Sequence, residues 1–287
     1  MKLESIKLRT LANHRVAGQH DGRKQDKVFS MIRAWLDLPP AGIFASLALL
    51  YFGMLVILAV VTFRSPLTRP LQSLNGIVAP FYGSVAILFA LLTSFLANDI
   101  SERDRLALRS VQIEASELRN VHTLSVASVS DMRNIRAALK AYVTSTVSDE
   151  WPAMGAMRLS PRTTAAYDEL LRQISQPGIA RASGTAVHAA LLSAAVRAGT
   201  ARNDRLALAT DHTSDLKWLV VIVLGLFTQV AIGLVHLERQ RSFIAALVLF
   251  SCAVVVTLGT MALQEYPFDG ALQLSPAPIQ ALQSLSD

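Results

Sequence analysis

Gln229 is the one strongly polar side chain near the middle of an apolar run in this sequence. It shares a helical face with Gly225, Gly233 and His236 at spacings of four, four and three. A polar group in lipid faces protein or water and finds a partner there. Gln229 therefore reads either as an interhelical hydrogen-bonding residue or as part of a conduction path. A second arrangement lies in Pro80–Ala97, where Phe81, Val85, Leu88, Leu92 and Phe95 fall on one face and Gly83, Ala86, Ala90, Ser94 and Ala97 on the other. Small faces let membrane helices approach closely. Bulky apolar rings contributed by several subunits can gate ions by dewetting. The pattern alone does not choose which face does what.

Catalytic chemistry is not legible. There is no G-x-x-x-x-G-K-[ST] phosphate loop, G-x-S-x-G elbow or H-E-x-x-H. The histidines at 14, 20, 122, 188, 212 and 236 never fall at ligand spacing with a second His or Cys. Cys252, the single cysteine, lies inside an uncharged run and reads as a small packing residue. The expectation is no enzyme, no metal and no cofactor.

These residues sit in four elements that composition announces. The chain has 287 residues, 52% hydrophobic and 17% charged, where a soluble domain carries about 25% charged. Its net charge of +6 is concentrated at one end. Residues 1–40 hold eight Lys/Arg and four acids, against fourteen and thirteen over 98–216. That is a basic arm beside a membrane segment, not a nucleic-acid-binding face. Ala41–Phe63, Pro80–Ala97, Trp218–His236 and Phe243–Leu263 are uncharged runs, each long enough for a hydrocarbon core of about 30 Å. Without charged groups inside them, proton relays, voltage sensors and carboxylate-coupled transporters are disfavoured. The first span reads as a retained signal anchor, since no small-residue cleavage pattern follows it.

Basic residues near the spans place the N-terminus, the central segment and the C-terminus on the cytoplasmic side. The expected organisation is a basic arm (1–40), spans one and two (41–97), a helical cytoplasmic domain (98–216), spans three and four (217–264) and a cytoplasmic tail (265–287). The fold class is an all-α membrane protein. In the central segment Val111, Ala115, Leu118, His122 and Val126 repeat as one helix face, continuing out of span two because no Pro or Gly intervenes before Trp151. Further helices are expected from Ser130 or Asp131 as N-cap, from Ser160-Pro161, and through Val187 to Arg205. Glu150-Trp151-Pro152 predicts a helix end, with an aromatic anchor and a carboxylate free to cap or to pair with Arg202 or Arg205. In Tyr266–Gly270 the last span stops at Pro267, with Phe268 suited to the bilayer edge and Glu265 and Asp269 to a solvated tail.

One set of residues carries a family resemblance. IEASELRNVHTL opens at 113 with Glu114, and AYVTSTVSDEWPAM holds Tyr142, Glu150, Trp151 and Pro152. RNDRLAL holds Arg202 and Arg205, Trp218 opens span three, and YPFDG holds Pro267, Phe268 and Gly270. In order and spacing, over roughly residues 75–285, this resembles the bestrophin-like family of membrane proteins. Where relatives tend to carry Leu-Pro before the tryptophan, this chain has HTSDLK at 212–217. The resemblance implies kinship with bestrophins, pentameric anion channels whose four-span subunits carry a hydrophobic neck from the second span. It implies a homo-oligomer in a bacterial inner membrane, with the lipid bilayer and small inorganic ions as partners. No acidic cluster resembles a bestrophin calcium clasp. The competing reading is a non-conducting membrane scaffold whose helical domain binds a partner protein.

Overall fold

The computed structural model describes residues 31–64 and 78–285 except 129, 157 and 238, and the basic arm before residue 31 lies outside them. Among the described residues the regular structure is helical. The chain divides into two units, 1–97 with 213–262 and 98–212 with 263–287.

The first unit holds the apolar elements. Helix α1 runs Pro40–Phe63, with Pro39 as its extended N-cap and Pro40 in the first turn, where a missing N–H costs nothing. Helix α2 runs Val78–Ala127, so it starts before Pro80 and passes without a break into the second unit. Helices α8 (Asp215–Val235) and α9 (Gln240–Leu263) complete the unit. Four helices, α1, the apolar part of α2, α8 and α9, are long and apolar enough to cross a membrane. The starts of α1 and α8 lie together. Arg33 Nε donates to Asp215 Oδ2 at 3.0 Å, and the Trp35 and Trp218 rings meet edge-on with centroids 5.5 Å apart. Phe63 at the end of α1 meets Phe243 at the start of α9, 5.1 Å between centroids. Helices α1 and α8 therefore run one way and α9 the other, as short connections require.

The unit is held by close approach and a few polar ties. A Cβ on Gly225 would overlap the Tyr51 hydroxyl, and one on Gly259 would overlap the Phe44 ring. Tyr51, fully buried, uses the space to donate to Ile222 O at 3.1 Å. Gln229 is also fully buried. Its Nε2 donates to Tyr51 O at 2.8 Å and to Ser251 Oγ at 3.0 Å, joining α1, α8 and α9.

The second unit is built from the charged end of α2, α3 (Arg133–Ser145), a π-helical turn (Thr146–Glu150), α4 (Trp151–Gly155), α5 (Pro161–Ile174), α6 (Pro177–Ser183) and α7 (Thr185–Thr210). Its core includes Val111, Leu118, Ile135, Leu139, Leu170 and Leu191. Ser160 caps α5 through its side chain, accepting from Thr163 N–H at 3.3 Å. Helix α3 departs from expectation, with Met132 as N-cap. Asp131 instead accepts the Arg133 N–H and clamps its guanidinium, which holds the Asp131 carboxyl down at about 2. The expected helix end at Glu150-Trp151-Pro152 is also absent. Pro152 cannot donate to a carbonyl four residues back. The chain widens to a π turn just before it, Trp151 N–H reaching Thr146 O, and α4 continues. The tail packs back on this unit through Ile279 and Leu282, on helix α10 (Ala277–Gln280) and the 3-10 turn Ala281–Ser284.

Candidate functional site

Two assemblies stand out, one in each unit. The membrane part of α2 presents an outward stripe. Tyr82, Val85, Phe89, Leu92 and Leu96 share the covered side, with Phe89 against Phe250 at 5.9 Å and Leu96 buried. Leu88, Leu91 and Phe95 turn away from the unit, exposed by 51%, 47% and 57%. The face read from sequence is thus divided. Leu88 and Phe95 lie outward, Val85 and Leu92 are half covered, and the Phe81 side chain lies outside the described residues. Leu91 escaped the sequence reading because the face was defined by opposition to the small residues. The partition follows instead from Phe89, whose ring reaches Phe250 and Gly225. Gln229 sits apart from this stripe in the packing of α1, α8 and α9.

In the second unit most of the motif residues converge. Arg202 and Arg205, three apart on α7, point the same way. Arg205 Nε donates to Glu114 Oε2 at 2.7 Å, and Nη2 donates to Glu114 Oε1 at 3.1 Å and to Glu150 Oε1 at 2.8 Å. Arg202 Nε donates to both oxygens of Glu150, at 3.1 and 3.0 Å, and Nη2 adds a further bond to Oε2. Tyr142 Oη donates to Glu114 Oε1 at 2.6 Å. The Arg205 guanidinium lies 5.3 Å from the Trp151 ring centroid and that of Arg202 6.0 Å from Tyr167. Glu114, Glu150, Arg205 and Tyr142 are all fully buried.

The charges balance, two carboxylates against two guanidiniums. Burial works against the Arg205 charge, yet Glu114, Tyr142 and Glu150 outweigh it and hold its pKa above the ordinary value. Burial first, and then Glu114, push the Tyr142 hydroxyl well up, so it stays a donor. The cluster offers no open coordination position and no free base. It is a closed joint tying α2, α3, the π turn and α7 together.

The remaining motif residues brace this joint. Trp151 Nε1 donates to Leu274 O at 3.2 Å, and its ring meets Phe268 edge-on at 5.6 Å. Both rings are buried in the helical unit, so neither Trp151 as an anchor nor Phe268 at a bilayer edge survives. Their amphipathic types suit either setting, and the returning tail supplies the partner here. Gly270 adopts a positive φ of 83° in the turn after Phe268. Glu265 is not solvated either. It is fully buried and accepts from Arg103 Nη1 at 3.0 Å. Pro267 O accepts Leu274 N–H at 2.7 Å, closing the loop. Trp218 is fully buried beside Trp35 in the first unit. Among the described residues no group of three or more His, Cys, Asp or Glu is placed to hold a metal.

The chain matches the Bestrophin-like domain model over residues 49–279. The match begins inside α1, further toward the N-terminus than residue 75. No curated protein matches. Solved structures of a bacterial bestrophin homologue from Klebsiella pneumoniae share the fold. One, solved by zinc phasing, is 14% identical with TM-score 0.61, over 83% of this chain and 95% of that one. A tryptophan-to-alanine variant is 15% identical with TM-score 0.63, over 85% and 95%. A structure described only as a membrane protein variant is 14% identical with TM-score 0.63, over 84% and 96%. The four apolar helices, the helical unit inserted between the second and third of them, and this match together make the chain an integral membrane protein of the bestrophin-like family.

Proposed function

We propose that the protein is a homo-oligomeric ion channel whose second spans surround an axial path, constricted by Leu88, Leu91 and Phe95. The observation carrying this reading is that stripe. Four large apolar side chains on the membrane part of α2, Ile87 together with these three, are left exposed while the opposite side packs on Phe250 and Gly225. Around a rotational axis the stripes close into a ring that passes or holds ions by wetting and dewetting. Val85 and Leu92 belong to the wall behind the ring rather than to the constriction. Transport is passive, because no charged group lies in the spans to couple it. The bestrophin kinship supports a pentameric assembly. In this reading the helical unit and both termini face the cytoplasm of a bacterial inner membrane, which the Lys/Arg bias beside the spans supports.

Residues 98–110 hold three acids and three arginines, and Arg103 is spent on Glu265. Net charge there supplies no electrostatic funnel, so selectivity comes from the ring and the field inside it. Crosslinking in native membranes tests the assembly. A closed ladder ending at a ring of subunits is expected. A ladder ending at monomer or dimer would remove the axial path and favour the partner-binding scaffold.

A further inference from the structure

The outward stripe of α2 does not stop where its apolar run stops. The helix is unbroken from Val78 to Ala127, and side chains three or four apart on a helix share a face. From Phe95, steps of three, four, four, three and four lead to Asn98, Glu102, Leu106, Arg109 and Ile113. All five are exposed, Leu106 and Ile113 among them although both are large and apolar. The side of α2 that carries Ala107, Val111, Glu114 and Leu118 is the one buried in the helical unit.

The charges of residues 98–110 sum to zero, but they are not evenly placed. Arg103 turns into the unit and is bound to Glu265. Glu102 has Arg105 one turn on, with Arg105 Nη1 4.0 Å from its Oε2, so that charge is balanced on the spot. Arg109 makes neither an ion pair nor a side-chain hydrogen bond among the described residues. It is the uncompensated charge of the stripe. Distance keeps it so. At about 1.5 Å per residue Glu102 lies about 10 Å from Arg109 along the helix and Phe95 about 21 Å, and the Debye length at physiological ionic strength is about 8 Å. Glu102 therefore does not cancel Arg109, and Arg109 acts at a place of its own rather than at Phe95.

Resting on the channel reading, we infer that Arg109 selects the permeant ion by charge and favours a small inorganic anion. Repeated around the axis, it forms a ring of guanidiniums in the path beyond the constriction, with Leu106 rings before it and Ile113 rings after it. Rings of basic side chains favour anions. Apolar neighbours thin the water around the ring, and a charge counts for more where the surroundings are less polarisable.

The test compares full-length wild-type protein with Arg109→Gln, Arg109→Lys and Arg119→Gln in phosphatidylcholine vesicles, reading the chloride-to-potassium flux ratio in a potassium chloride gradient. Native mass spectrometry gives the subunit number of each. Wild type is expected to favour chloride. Arg109→Gln should lower the ratio about fivefold, the weight of one charge about 4 Å away in water, and Arg109→Lys should keep it. Arg119 is exposed on another side of α2, so Arg119→Gln should leave the ratio unchanged. Wild type that prefers potassium, or conducts with a ratio that Arg109→Gln does not move, would overturn the inference and leave the channel standing. An equal shift from Arg119→Gln would overturn it too, since general surface charge would then be the cause. A changed subunit number in Arg109→Gln would place the residue in a subunit contact and not in the path. Absence of flux from intact wild-type oligomers would remove the channel reading and this inference with it.

Discussion

Arg205→Ala is expected to lower the melting temperature of the helical unit by on the order of 10 °C. The residue is fully buried, and its guanidinium serves Glu114 and Glu150 together. Removing one partner of a buried ion pair costs about 3–5 kcal/mol, because the remaining charge is left unpaired out of water. At about 2–4 °C per kcal/mol for a domain of this size class, the shift is large. The consequences for the two carboxylates differ. Glu150 keeps the Arg202 guanidinium on both of its oxygens, whereas Glu114 keeps only the Tyr142 hydroxyl. Glu114→Gln should therefore recover more stability in an Arg205→Met background than Glu150→Gln does. Tryptophan fluorescence reports the transition, since Trp151 lies against the joint. An Arg205→Ala protein that melts within a degree or two of wild type would contradict the closed-joint account.

Gly225→Ala is expected to loosen the membrane unit, and Tyr51→Phe to restore it. The added Cβ overlaps the Tyr51 hydroxyl and comes within 3.2 Å of the Phe89 ring. Overpacking of this kind costs about 1–3 kcal/mol, read as earlier loss of monodisperse protein from detergent extracts on heating. In the wild-type background Tyr51→Phe removes the bond to Ile222 O and destabilises by about 1 kcal/mol. In the Gly225→Ala background the same change removes the atom in the way. Its sign should reverse. If Tyr51→Phe destabilises both backgrounds equally, the close approach of α1 and α8 at Gly225 is not what sets their packing.

The apolar helices were legible because a run of about 20 uncharged apolar residues has few other uses. Their ends moved by a few residues, as with Asp215 rather than Trp218 opening α8. The continuation of α2 into the second unit was legible too, through the absence of Pro and Gly before Trp151. The π turn was not. Helical periodicity carries no mark of one inserted residue, and Pro152 reads equally as a stop or as the cause of a widened turn. Glu150 and the two arginines could be named as partners, but Glu114 and Tyr142 come from helices whose approach only packing decides. Arg103 and Glu265, 162 positions apart, left no local signal at all. On α2 the side turned to the bundle was set by an aromatic reaching across, not by the small residues that sequence favours.

Ion efflux from vesicles tests the conduction reading most directly. Purified wild-type protein and Phe95→Ala would be reconstituted in parallel and compared under chloride and potassium gradients, with size exclusion verifying the oligomer in both. Flux above protein-free vesicles is predicted for wild type, and a changed rate or ion preference for Phe95→Ala, whose ring is 57% exposed on the outward stripe. Equal flux from the two proteins, or none from either as intact oligomers, would contradict a path lined by the second span.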